Sequence, residues 1–129
     1  MHIHRHRVPA VAPPSSRFAH GIEAEGHTRT LYVSGQLGVA PDGALAKSAE
    51  AQIERCWLNV LAVLADAGMG PANLVKVTGF LTRREDVRAY RDIRDHLLGG
   101  IETASTLVIV AGLVLPDALV EIEAIAVAP

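Results

Sequence analysis

Two acids set in an apolar strand are the first candidates for chemistry. In Val120-Glu121-Ile122-Glu123-Ala124-Ile125-Ala126, strand alternation puts Glu121 and Glu123 on one face, about 7 Å apart at two residues. Carboxylates in such surroundings are costly unless hydrogen-bonded or turned to a cavity. Either this stretch is a sheet edge with both acids in water, or one acid is partly desolvated. In the second case its pKa is raised, and it handles protons or positions a water. Ser34-Gly35-Gln36 follows the strand residues Leu31-Tyr32-Val33. Glycine weakens a strand unless something must approach the backbone closely. The Gly35 amide and the Ser34 hydroxyl could bind a substrate oxygen; a β-bulge before a turn is the structural alternative. No Ser-His-Asp order or nucleophile elbow marks Ser34 as an activated nucleophile.

The remaining reactive side chains divide quickly. His2, His4 and His6 alternate and share a strand face, without a nearby acid or cysteine to complete a four-ligand metal site. An exposed strand or a frayed end is the plainer reading. His20 shares a face with Phe18 and is a candidate proton carrier. Cys56 falls on the apolar side of a helix, as a small core residue. Arg84, Arg88 and Arg91 lie among Glu85, Asp86, Asp92 and Asp95, the pattern of a solvated, ion-paired helix face. There is no Gly-rich phosphate loop.

These residues need elements to hold them. Residues 17–25 and 30–36 read as two strands, with Glu25-Gly26-His27 as a hairpin turn region. Ser48 to Ala67 reads as a helix about 30 Å long, with Ile53, Cys56, Trp57, Val60, Leu61, Val63 and Leu64 recurring every three to four residues. Ser48 is its candidate N-cap, and Gly68 sits at the left-handed C-terminal cap. Leu74 to Leu81 is a strand. Thr82-Arg83-Arg84-Glu85 then has the capping-box pattern. The helix that follows carries Val87, Tyr90, Ile93, Leu97 and Leu98 and stops at Gly99-Gly100. Ser105–Leu113 and Ala118–Ala128 are the last strands, giving an α+β sandwich with helices on one sheet face. The strands are apolar on both faces, so burial of the second face in a closed oligomer is expected.

Composition sets the outer limits. A chain of 129 residues is one domain. Half of it is apolar and 20% charged, which excludes intrinsic disorder. Five aromatic residues (Phe18, Tyr32, Trp57, Phe80 and Tyr90) leave the core to aliphatic side chains. A net charge of −2 offers no overall pull on nucleic acid or anionic lipid. A single cysteine excludes an intrachain disulfide and suits a reducing cytosol. The longest apolar run, Leu107 to Leu115, has nine residues against the ~20 of a membrane-spanning helix. MHIHRHRVPA has no apolar signal region, so a soluble, cytoplasmic protein is expected.

Taken in order, LYVSGQLG at 31–38, NVLAVLADAG, VKVTGFLT, STLVIVAGL and DALVEIEAIAVA resemble the RidA (YjgF-type) family over residues 17–127. The resemblance implies a chorismate-mutase-like α+β fold: a mainly antiparallel six-stranded sheet with two long helices on one face. It also implies a homotrimer with three clefts between subunits. The implied activity is hydrolytic deamination of reactive enamines and imines, such as 2-iminobutanoate, to 2-oxo acids and ammonia, without a metal or organic cofactor. Water attacks the imine carbon, which needs a held carboxylate, a positioned water and a proton carrier.

Carried across, the family's water-positioning glutamate falls on Glu121, and the serine and glycine of its SGQ segment fall on Ser34 and Gly35. Its early tyrosine falls on Phe18, which lacks the hydroxyl. The arginine that grips the substrate carboxylate falls on Ser105, within Thr103-Ala104-Ser105-Thr106, and one residue is added between Leu113 and Asp117. Serine cannot make the bidentate fork of a guanidinium. Losing that contact costs on the order of 2–5 kcal/mol, so the amino-acid-derived imine is a poor expected substrate. Arg17, Arg29 and Arg91 are candidates for a substitute charge across the subunit boundary. The expected site is therefore Glu121 and His20 for catalysis, with Phe18, Ser34, Gly35, Arg91, Ser105 and Leu107 for substrate. A trimeric small-molecule binding protein that kept the cleft and lost turnover is the alternative. Ribonuclease activity is disfavoured by the net charge, the sparse aromatics and the lack of a basic stripe.

Overall fold

A computed structural model describes residues 1–129. Its strands are β1 (His2–His6), β2 (Gly21–Glu25), β3 (Arg29–Leu37), β4 (Leu74–Leu81), β5 (Ala104–Ile109) and β6 (Val120–Ala128). Two helices, α1 (Ala49–Asp66) and α2 (Val87–Leu97), separate β3 from β4 and β4 from β5. The α+β class and the pair of helices on one sheet face hold. The six strands, however, divide into two sheets, β1–β2 and β3–β6–β4–β5. Every pairing is antiparallel except β4 with β5, which run parallel across the α2 crossover.

The expected hairpin of 17–25 with 30–36 does not form. β2 pairs instead with β1, His2 opposite Glu25 and His6 opposite Gly21, while β3 pairs with β6. The N-terminal histidines thus belong to a strand whose partner supplies acids: His6 Nε2 lies 3.0 Å from Glu23 and His4 Nε2 3.8 Å from Glu25. Gly26, with φ +70°, turns the chain from one sheet to the other.

Helix α1 follows its sequence signals. The Ser48 hydroxyl accepts from the Ala51 amide at 3.1 Å, and Gly68 takes φ +69° just beyond the end. Ile53, Cys56, Trp57, Val60 and Leu64 are fully buried against Leu74, Val77, Leu81, Val120 and Ile122 of the sheet. Each such aliphatic burial is worth about 1.5–3 kcal/mol. Helix α2 begins differently from expectation. The Thr82 amide continues the sheet by donating to Leu119 O at 3.1 Å, so no capping box with Glu85 closes there. Arg83 instead donates twice to the buried Asp86 carboxylate, at 2.8 and 2.9 Å, across one 3₁₀ turn.

Gln52 joins three segments from inside the protein. Its amide nitrogen donates to Ala46 O and Asp117 O, and its oxygen accepts from the Leu119 amide at 2.8 Å. The loop between β5 and β6 is thereby tied to α1. On the sheet face away from the helices, Tyr32 is 74% exposed, and Val114 in that loop is 83% exposed. No helix is long and apolar enough to cross a membrane.

Candidate functional site

The sheet places candidate chemistry in two separate corners. The first forms where β3 loses register with β6 between Val33 and Gln36. Ser34 and Gly35 there face the single β6 residue Glu123, a β-bulge with one extra residue, and Gly35 lies beside Glu121, which is half-buried and aligned with Leu37 and Phe80. A Cβ at position 35 would stand 2.5 Å from Glu121 Oε1 and 2.9 Å from its carboxyl carbon. A side chain here would have to push the carboxylate aside, although the backbone angle itself is not the left-handed one that favours glycine. Ser34 is exposed, and its carbonyl accepts from the Gln36 side chain at 3.0 Å. Glu123 stays exposed, so the two acids of this strand occupy different environments.

The second corner is built by the parallel pairing of β4 and β5. Val77 lies opposite Ser105 and Gly79 opposite Leu107, which turns both β5 side chains toward the helix side. There they line a cavity of about 190 Å³ with Phe18 and the arginines Arg91 and Arg94 of α2. Ser15 and Ser16 close its rim. Arg94 is only 4% exposed. Its Nε donates to Asp95 Oδ1 at 3.0 Å, and its Nη2 pairs with the same oxygen at 3.0 Å without the alignment of a second hydrogen bond. Arg91 is half-buried and makes no ion pair.

Thus Phe18, Arg91, Ser105 and Leu107 come together, while Ser34, Gly35 and Glu121 meet elsewhere. Within one chain the two corners sit on opposite sides of the sheet. They are also two strands apart, about 10 Å at the usual spacing. His20 joins neither corner. Its Nδ1 accepts from the Val8 amide at 2.8 Å, and its Nε2 donates to Ala12 O at 2.7 Å, so both ring nitrogens serve the N-terminal loop. Of the other candidate cations, Arg17 lies 3.9 Å from Asp95 and does not line the cavity. Arg29 is spent on the carbonyls of Ala67 and Pro129. Of the expected solvated arginine face, Arg84 and Arg88 stay exposed, Arg88 standing 3.8 Å from Asp92, while Arg91 turns into the cavity.

Arg94 is the residue that the sequence reading missed. It falls four residues after Tyr90 and three before Leu97, on the side of α2 that faces inward, and that position alone marks a buried cation.

Two further groups are silenced by burial. Desolvation, with a smaller contribution from the Glu121 charge, pushes the Cys56 thiol up to about 12. Burial likewise raises the Tyr90 hydroxyl, with Arg94 pulling weakly the other way. Tyr90 Oη is buried without a partner and sits where a Gly79 side chain would be, 2.4 Å from that Cβ position. No group of three His, Cys, Asp or Glu side chains converges as a metal site would require.

Known proteins share this fold. The family model described as Endoribonuclease L-PSP matches residues 9–128. A RutC family protein of Aquifex aeolicus is 30% identical over 123 residues, covering 94% of this chain and 96% of its own. Among solved structures, the Rid family protein YyfB of Yersinia pestis superposes with a TM-score of 0.89 at 27% identity, covering 99% of this chain and all of its own. Escherichia coli TdcF with bound serine does so with a TM-score of 0.72 at 27% identity, over 92% of this chain and 91% of its own.

Proposed function

The chain belongs to the endoribonuclease L-PSP family, the RidA/YjgF group, and on that premise we propose that it is a metal-free hydrolytic deaminase of enamines and imines, working as a homotrimer. The observation that carries this reading is the space that Gly35 leaves for the Glu121 carboxylate, an expense in strand stability that nothing in the core requires. The two half-sites, separated within a chain, become one cleft when the Glu121 corner of one subunit faces the Ser105 pocket of its neighbour. The apolar residues left open on the outer face, Tyr32 and Val108 among them, suit such a closed assembly.

The chemistry then follows from the groups present. Glu121 accepts a proton from water as its oxygen bonds to the C=N carbon. The resulting carbinolamine takes that proton on nitrogen, and ammonia leaves as the hydroxyl proton passes to the freed Glu121 carboxylate, leaving a carbonyl. Ser34 and the Gly35 amide orient the reacting end. With Ser105 where the family has arginine, the substrate range differs from that of amino-acid-derived imines bound through a β5 cation.

Imines generated in solution test this. We expect purified protein to speed their hydrolysis and Glu121→Gln to lose 10²- to 10⁴-fold, the usual range for a positioned general base. Rates equal to buffer for both proteins reject the reading. Light scattering should give three times the chain mass of 13.7 kDa; a monomer overturns the shared cleft. A binding protein without turnover is the second reading, favoured by the missing hydroxyl at Phe18 and the missing cation at Ser105. It requires ligand-induced thermal stabilisation with no product.

A further inference from the structure

His20, which joins neither corner, is built into a strap at the mouth of the second. Residues 8–18 run from the β1–β2 ribbon to the cavity, where Ser15, Ser16 and Phe18 form part of the wall. The strap makes only two backbone hydrogen bonds within itself, Val11 N to Val8 O and Phe18 N to Ser16 O. Pro9, Pro13 and Pro14 have no amide hydrogen to add. Ion pairs hold its ends, Arg7 with Glu102 and Arg17 with Asp95. Between them the His20 ring bonds the strap at both nitrogens, and those two bonds fix the ring proton. Ala12 O can only accept, so Nε2 carries the hydrogen, at 2.7 Å. The Val8 amide can only donate, so Nδ1 is bare, at 2.8 Å. The arrangement exists only for the neutral ring in one tautomer.

We infer that His20 is a pH-operated clasp: neutral, it holds the strap at the cavity mouth; protonated, it lets the Val8 end go. Histidine is the side chain whose charge changes between pH 5 and 8. A proton on Nδ1 sets N–H against the Val8 N–H, donor to donor, while the Nε2 bond to Ala12 survives. The Val8 end lifts, and Ser15 and Ser16 lose their fixed place at the rim. The new charge also arises beside Arg7, which lines the same hollow as the ring. Arg5 shares this face, since it stands opposite Ile22, two residues past His20. The acid on this side, Glu102, already takes Arg7 at its carboxylate and Arg5 at its carbonyl. His4 and His6 lie on the other face of the ribbon with Glu25 and Glu23, and protonating them draws those pairs together. Their titration therefore acts in the opposite sense. The clasp holds whatever the cavity binds, so it stands apart from the deaminase reading.

Nitrogen NMR of the histidine rings and amide hydrogen exchange, both on the full chain, test the clasp. At pH 8 the His20 ring should carry its hydrogen on Nε2. Between pH 8 and pH 5 the Val8 amide, corrected for intrinsic exchange, should lose about three- to tenfold of its protection, the worth of one hydrogen bond. The Val60 amide inside α1 should keep its own. Backbone resonances of Ser15 and Ser16 should shift in the same titration. His20→Gln supplies an acceptor and a donor that do not titrate, and should hold Val8 protected at both pH values. His20→Ala should leave Val8 unprotected at both. Wild-type protection that ignores pH overturns the clasp, as does an Nδ1–H ring at pH 8. So does a His20→Gln protein that loses protection in acid as wild type does, because the titrating group then lies elsewhere. Shifts confined to residues 8–12 would cut the clasp off from the cavity and overturn the inference. If His20→Ala does not fold, the wild-type profile and His20→Gln decide.

Discussion

Gly35 and Gly79 each leave room for an oxygen, on opposite faces of the same sheet, and the two faces treat that oxygen differently. At Gly35 the neighbour is the tip of a flexible, half-buried carboxylate that can swing away. At Gly79 it is the hydroxyl of Tyr90, a side chain with no exposed surface, wedged beside Trp57 at a ring separation of 5.8 Å. Close-packed interiors resist added volume; an open corner yields. One glycine therefore belongs to the core and the other to the site.

The largest expected effect probes the dry face as a whole. The Cys56 thiol is pushed up from an ordinary 9.0 to about 12. Above pH 9 the unfolded chain loses this proton while the folded chain keeps it. The stability is thus complete below pH 9 and lost as pH rises toward 12, by about 1.4 kcal/mol per unit. Denaturant titrations across that range should show the slope, and Cys56→Ala should remove this part of it. Tyr90, raised by burial, adds its own share at higher pH.

Next in size is Gly79→Ala, which should cost about 1–3 kcal/mol through overpacking, read as a lower melting temperature. Gly35→Ala should leave melting within about 0.5 kcal/mol of wild type while imine hydrolysis falls about tenfold, because the new methyl displaces Glu121. If Gly35→Ala instead destabilised as much as Gly79→Ala, the contrast between the faces would fail. The smallest effect is Tyr90→Phe. Removing a hydroxyl without a partner should be neutral or stabilising by up to about 1 kcal/mol, and a clear loss would mean that the hydroxyl has a partner.

Legibility along the chain tracked how local the causes were. Ser48, the three-to-four spacing from Ile53 to Leu64, and Gly68 are all written within one helix, and α1 could be read from them. The pairing of β1 with β2 was not legible, since His2–His6 becomes a strand only when Glu23 and Glu25 arrive from 17 or more residues away. Thr82 looked like a cap because its competing bond, to Leu119 O, comes from a distant loop. At the site, Glu121, Ser34 and Gly35 stood out by type and context. Phe18, Arg91, Ser105 and Leu107 were named from sequence, but only the parallel β4–β5 register explains their meeting. Arg94 was obscured by its neighbours, because arginine amid aspartates reads as a wet surface until the helix is set against Tyr90.

The amide of Gln52 has a last consequence. By bonding the carbonyls of Ala46 and Asp117 and the amide of Leu119, it holds the β5–β6 loop still before any other molecule arrives. The 83%-exposed Val114 therefore stands three residues from an anchored point of the chain. An anchored loop has less chain entropy left to lose than a free one, and Gln52→Ala should raise amide hydrogen exchange across it.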